Sequence, residues 1–258
     1  MKRALIALVA CALALPTLAQ DATRDWDVRR DPARKSILAF TIYDSGLSVA
    51  FRCIDESLNV VIAGLPPSRA DRRTLRLKFR DAEAYDSGWT ATTNNTVVVG
   101  DYPAPLARSF RLGGRLEVEV PQGAADGRTL RHVVELPASN AAIEEVLTSC
   151  GRPLVDPRDA ELTSITATGL PAGFDWRRLP RPEFPESRYA GGYVVTTCVA
   201  NPDGTLRDCQ VEMEHPQDGR FGDAVLRAIR RSRIQNTTQP EALIPAVRVG
   251  FRTTFVLR

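Results

Sequence analysis

Few side chains in this sequence could do chemistry. It holds two histidines, His132 and His215. Neither has a second His or Cys at metal-ligand spacing, so no metal site is predicted. Glu117 and Glu119 are two apart in a β-rich run and share a face, as a glycosidase pair would. Arg115 flanks them, and a salted surface is the preferred reading. The Gly-x-Ser-x-Gly elbow of α/β-hydrolases does not occur. Gly113-Gly114 reads as a hairpin turn and not as a phosphate-binding loop. The chain is therefore read as a non-enzyme with no cofactor; an enzyme housed in its N-terminal part is the least favoured alternative.

The cysteines carry more information. Cys11 falls in a leader segment, which leaves Cys53, Cys150, Cys198 and Cys209. An even number of cysteines in an exported chain predicts two disulfides, and four cysteines allow three pairings. No Cys-x-x-Cys spacing points to a redox site. Cys198 and Cys209 flank the turn Asn201-Pro-Asp-Gly204. A two-residue loop at Asp203-Gly204 sets them opposite each other, whereas a three-residue loop led by Pro202 shifts the register by one. Close strands still favour this bridge, and Cys53 then pairs with Cys150.

The start of the chain explains the oxidising context. Met1-Lys-Arg opens onto the apolar stretch Ala4–Leu15 and the small-residue site Thr17-x-Ala19. That is a secretory signal over residues 1–19, too short to span a membrane. No other stretch is long and apolar enough, so no stable membrane span is expected after cleavage. Leu8-Val-Ala-Cys11 also fits lipoprotein processing, as an alternative. A net charge of +3, with Lys2, Lys35 and Lys78 as the only lysines, leaves the basic charge almost entirely on arginine. No basic run exceeds two residues and no aromatic-basic motif occurs, so nucleic acid is not an expected partner.

The elements that hold the cysteines follow from periodicity. Over residues 20–151 seven β-rich runs are predicted: Ile37–Tyr43, Gly46–Cys53, Leu58–Ala63, Thr74–Phe79, Thr96–Val99, Arg115–Val120 and Leu130–Leu136. These suggest a mainly-β sandwich or partly closed barrel, with one closing helix from Ser139 to Cys150. Residues 152–179 carry Pro153, Pro157 and Pro171 and read as a linker, with a short helix near Asp156–Leu162 and Leu170, Phe174 and Trp176 docking on a domain. Residues 180–258 read as two strands, a helix and a closing strand over Ala246–Leu257. In the helical stretch Phe221–Ile234, Phe221, Val225, Ala228 and Ile229 form the inward stripe, while Arg227, Arg230, Arg231 and Arg233 face water. The fold class is α+β.

Gly192-x-Val-x-x-x-Cys-Val-x-x-Asp-Gly-x-Leu-x-x-Cys-x-Val211, then Phe221-Gly-x-Ala-x-Leu-x-Ala228 and the alternating last strand, resemble the TonB C-terminal domain. The resemblance spans the C-terminal third. It departs at Phe184-Pro185, where the family usually has Tyr-Pro, and at Ser232–Asn236, which lacks the family's aromatic and Pro. It implies a periplasmic protein-interaction module that binds an extended segment of an outer-membrane TonB-dependent receptor, or another envelope partner, by strand addition. The edge assigned to binding is the last strand, through Arg248, Val249, Gly250, Phe251, Arg252 and Thr254. Val249, Phe251 and Phe255 would face the helix, and Arg248, Arg252 and Thr254 would face outward. Two alternatives stand beside it: an anchored energy transducer, if the leader stays uncut, and a structural envelope protein whose C-terminal unit docks its own N-terminal domain.

Overall fold

A computed structural model describes residues 25–159 and 169–257. The leader, with Cys11, lies outside the described residues, as does part of the helix expected near Asp156–Leu162; a single helical turn is seen at 157–159.

The N-terminal part is one antiparallel sheet of nine strands. In chain order these are β1 (Asp27–Asp31), β2 (Ser36–Ile42), β3 (Ser48–Ile54), β4 (Ser57–Ala63), β5 (Arg72–Phe79), β6 (Tyr85–Ala91), β7 (Val98–Gly100), β8 (Gly114–Val120) and β9 (Leu130–Leu136). Their order in the sheet is β1-β2-β3-β4-β7-β6-β5-β8-β9, with β1 and β9 left at its ends. The barrel expectation is thus corrected: the sheet does not close on itself. Strict alternation buries one face, as in Val49, Phe51 and Cys53 on β3 and Leu58, Val60 and Ile62 on β4.

That face wraps two helices, α1 (Pro103–Arg111) and α2 (Ala141–Ser149). Phe110 of α1 lies edge-on to Phe51 at 5.3 Å and to Phe79 at 5.0 Å, so strands from both halves of the sheet meet on one ring. Helix α1 was not predicted, and Gly113-Gly114 joins it to β8 where a hairpin turn was expected. Helix α2 is the predicted closing helix, with its N-cap at Asn140, one residue after the expected Ser139. The Cys53–Cys150 disulfide ties its end to β3.

The C-terminal part holds β10 (Phe174–Arg178), β11 (Gly191–Ala200), β12 (Leu206–His215), α3 (Phe221–Ile229), β13 (Arg233–Asn236) and β14 (Arg248–Val256). Strands β12, β11 and β14 form one antiparallel sheet in that order, with α3 on one face; β10 pairs with β13 in a two-stranded sheet. The predicted helical stretch to Ile234 is corrected: it stops at Ile229, and β13 begins four residues later. Glu214 starts α3 from the neighbouring strand, its carboxylate accepting from the N–H groups of Phe221 (2.9 Å) and Gly222 (3.1 Å). These are two donors that a helix start leaves unpaired. Phe184, Phe221 and Phe255 cluster at centroid distances of 4.8–6.1 Å, with Phe184 edge-on to the other two rings. The class observed is α+β.

The hairpin of β11 and β12 solves the cysteine register in an unexpected way. Its connection is longer than two residues: the N–H of Asn201 donates to the carbonyl of Thr205 at 2.8 Å. Ala200 pairs with Leu206 and Val199 with Arg207, a register that would set Cys198 against Asp208. One extra residue bulges at Asp208, where φ is 50°, and beyond it Thr197 pairs with Gln210. Cys209 therefore comes opposite Cys198, with Cα atoms 4.1 Å apart, and the bridge forms.

Candidate functional site

The site follows from which backbone groups of β14 are used. The N–H of Leu257 donates to the carbonyl of Ala190, on the β11 side. Alternation then turns the N–H and C=O groups of Phe255, Thr253, Phe251 and Val249 toward β11. Those of Val256, Thr254, Arg252 and Gly250 turn to the outer edge. Gly250 already has a partner there: its N–H donates to the carbonyl of Gly169 at 2.7 Å. Gly169 has φ of 87°, and a Cβ on it would overlap the Gly250 carbonyl. The chain's own backbone therefore occupies the first position of this edge. Among the described residues, no backbone bond is made outward by Arg252, Thr254 or Val256.

Beside these groups runs a groove of about 460 Å³. Arg72, Asp101 and Tyr102 of the N-terminal part form one wall, Trp176, Leu179 and Pro180 the other, and Gly250 to Thr254 the floor. Trp176 is fixed by an edge-on contact with Phe251 at 5.2 Å. Tyr102 packs against the bare backbone of Gly250, where a Cβ would come 2.5 Å from its hydroxyl oxygen. Burial pushes the Tyr102 hydroxyl well above the ordinary phenol range, so it stays a neutral hydrogen-bonding group.

The six residues predicted to bind a partner divide sharply. Val249 and Phe251 face the helix side and are buried, and Thr254 is exposed, in line with the alternation read from sequence. The outward placement of Arg248 is corrected. Its side chain is fully buried, on the face turned to the N-terminal part. Its guanidinium donates to the carbonyl of Arg158 at 2.6 Å and lies 3.3 Å from Glu212, itself 1 % exposed. Glu212 also accepts from the hydroxyl of Thr197 at 2.6 Å. Burial lowers the Arg248 pKa from its usual value while Glu212 opposes that shift. Arg252 is half-buried rather than free: it donates to the Thr90 hydroxyl at 2.5 Å and lies 3.7 Å over the ring of Tyr193.

These contacts belong to a longer chain of charges that joins the two parts. Arg108 of α1 binds both carboxylate oxygens of Asp159 and lies 3.6 Å from Asp156. Asp156 is held by Arg158 at 2.7 Å, and Arg158 in turn donates to the carbonyl of Asp208 at 3.2 Å. Asp159 lies 3.6 Å from Arg248. Sequence reasoning missed Glu212, Asp156 and Asp159 as partners. The strand pattern set Arg248 on the face opposite Val249 and carried no signal that this face is covered.

Elsewhere, Glu117 is clamped by Arg115 at 3.0 Å and by Arg131, so the carboxylate considered for glycoside chemistry is spent in ion pairs. Among the described residues the buried ring nitrogen of His132 has no hydrogen-bond partner, and the rings of His215 and Tyr193 lie 5.5 Å apart. Among the described residues no group of three or more His, Cys, Asp or Glu could hold a metal, and no helix is long and apolar enough to cross a membrane.

No family model matches the chain, and no curated protein matches it either. Among solved structures, invasion associated protein B from Bartonella henselae aligns with 48 % of this chain and 92 % of its own, at 16 % identity and a TM-score of 0.34. A likeness of that degree assigns neither fold nor function.

Proposed function

We propose that this chain is a periplasmic protein-interaction module whose C-terminal unit, resembling the TonB C-terminal domain, takes up an extended segment of an envelope partner by strand addition. The observation that supports it is the run of outward backbone groups on Arg252, Thr254 and Val256 beside an open groove. Each such residue offers one donor and one acceptor to an incoming strand. The segment from an outer-membrane receptor is the partner the resemblance implies. An anchored transducer would need the leader retained, which N-terminal sequencing of the protein from cells reads directly.

A second reading has its own support. The charges linking Arg108, Asp159 and Arg248, with Arg252 on Thr90, fasten the C-terminal unit to the N-terminal sheet. A purely structural envelope protein needs nothing more. Thr254→Pro separates the two, because the Thr254 N–H points away from β11 and its loss leaves the ladder intact. Binding of immobilised receptor plug peptides is expected to weaken about tenfold, or about 1.4 kcal/mol, with the melting temperature unchanged. Equal binding by wild type and Thr254→Pro, or none by either, leaves the structural reading.

A further inference from the structure

Between α3 and the stretch formed by the end of β10 and the segment after it lies a second groove, of about 700 Å³. Arg177, Arg178 and Arg181 line one wall, and Arg227, Arg230 and Arg231 line the other. All six are exposed. Glu183 is the single acid in the lining, and Arg177 has Glu241 at 3.7 Å. Among the described residues the other five arginines form no ion pair.

A solvated helix face accounts for only part of this. Arginines in the last turn of α3 complement the helix dipole, yet Arg227 stands three and four residues from Arg230 and Arg231, spacings at which like charges repel. Arg177, Arg178 and Arg181 belong to no helix and gain nothing from that dipole. They bring a second cationic row against the first. Two like-charged rows across a concave space favour an anion between them, and planar guanidinium groups fit carboxylates in paired hydrogen bonds. The walls between the arginines are apolar, formed by Trp176, Leu179 and Pro182. A flat bilayer surface would reach only the rims of such a groove. An extended polypeptide can enter it, and its alternating side chains reach both walls.

We propose that this groove binds an acidic, extended segment of a partner protein through two facing rows of arginine. The test is fluorescence polarisation with fluorescein-labelled hexaglutamate and the full chain. Binding is expected to weaken by at least about tenfold in Arg181→Glu with Arg231→Glu, and steeply as salt rises from about 0.05 to 0.3 M. Arg34→Glu, an exposed position of the N-terminal part outside this lining, is expected to bind as wild type does. Thr254→Pro is expected to leave hexaglutamate affinity unchanged, which separates this groove from the β14 edge. Circular dichroism confirms that each variant is folded. Failure of wild type to bind, or binding unaffected by the paired reversal, overturns the proposal. So does tighter binding to phosphatidylglycerol vesicles or to a single-stranded oligonucleotide of equal charge, which would assign the groove to a lipid surface or to nucleic acid.

Discussion

At the scale of single residues, Arg248 and Glu212 decide how the last strand sits. Their side chains are 0 % and 1 % exposed, so each charge depends on the other. Removing one partner of such a buried pair costs about 3–5 kcal/mol, while replacing both with apolar groups is often close to neutral. Glu212→Ala is therefore expected to lower the stability of the chain by about 3–5 kcal/mol in urea unfolding. Arg248→Met combined with Glu212→Leu is expected to fall well short of the sum of the two single losses. An additive cycle would show that the pair is not coupled. This is also where sequence reading gave out. Alternation alone set Val249, Phe251 and Phe255 on the helix side, and it set Arg248 and Arg252 correctly on the opposite face. Taking that face as solvent was the error. A strand pattern reports two faces but not what covers the second one. Here the N-terminal part covers it, through Tyr102, Thr90 and Asp101, and no local pattern announces a contact between residues some 150 positions apart.

At the scale of elements, one disulfide ties a strand to a helix end and the other ties two strands, and they close loops of very different length. Their sequence separations are 97 for Cys53–Cys150 and 11 for Cys198–Cys209. Chain entropy assigns about 4.7 kcal/mol to the longer loop and about 3 kcal/mol to the shorter. Thermal melts of the paired Cys→Ala variants are expected to rank accordingly, with the Cys53/Cys150 variant melting lower. The reverse order would show that the hairpin bridge holds more of the fold than its loop length implies. The pairing was legible because four cysteines flanked recognisable elements. The bulge at Asp208 was not, because a residue at φ of 50° leaves no trace in a β-rich run of ordinary composition. Helix α1 was hidden for a related reason. Pro103 and Pro105 read as loop, although proline suits the first turn of a helix, where its missing N–H costs nothing. Strand β6 was missed because Asp86, Ser87 and Gly88 interrupt its apolar pattern.

At the scale of the whole molecule, two cores are joined by charge as well as by chain. One gathers Trp26 to Cys150 and the other Leu170 to Phe255, and Asp156 stands in the connection between them. Hydrogen bonds from Arg158 hold its carboxyl at about 2, below the usual value of 3.8. A depressed carboxylate pKa contributes stability that is complete above the unfolded value and is lost as pH falls through the folded one. Stability is thus expected to drop between about pH 4 and pH 2, and Asp156→Asn is expected to flatten that slope in pH-resolved unfolding. An unchanged slope would place the acid sensitivity in other carboxylates, Glu117 and Glu145 among them, whose arginine partners also hold them low.

Gly169 lies across the β14 edge at Gly250, and in the strand addition proposed above it would act on a visiting strand as a doorstop. Such a guest would slide along Val256, Thr254 and Arg252 and no further, so its end, and not only its side chains, would be measured. Short guests with a free terminus at that point would fit, and longer ones would have to lift the host's own chain away first.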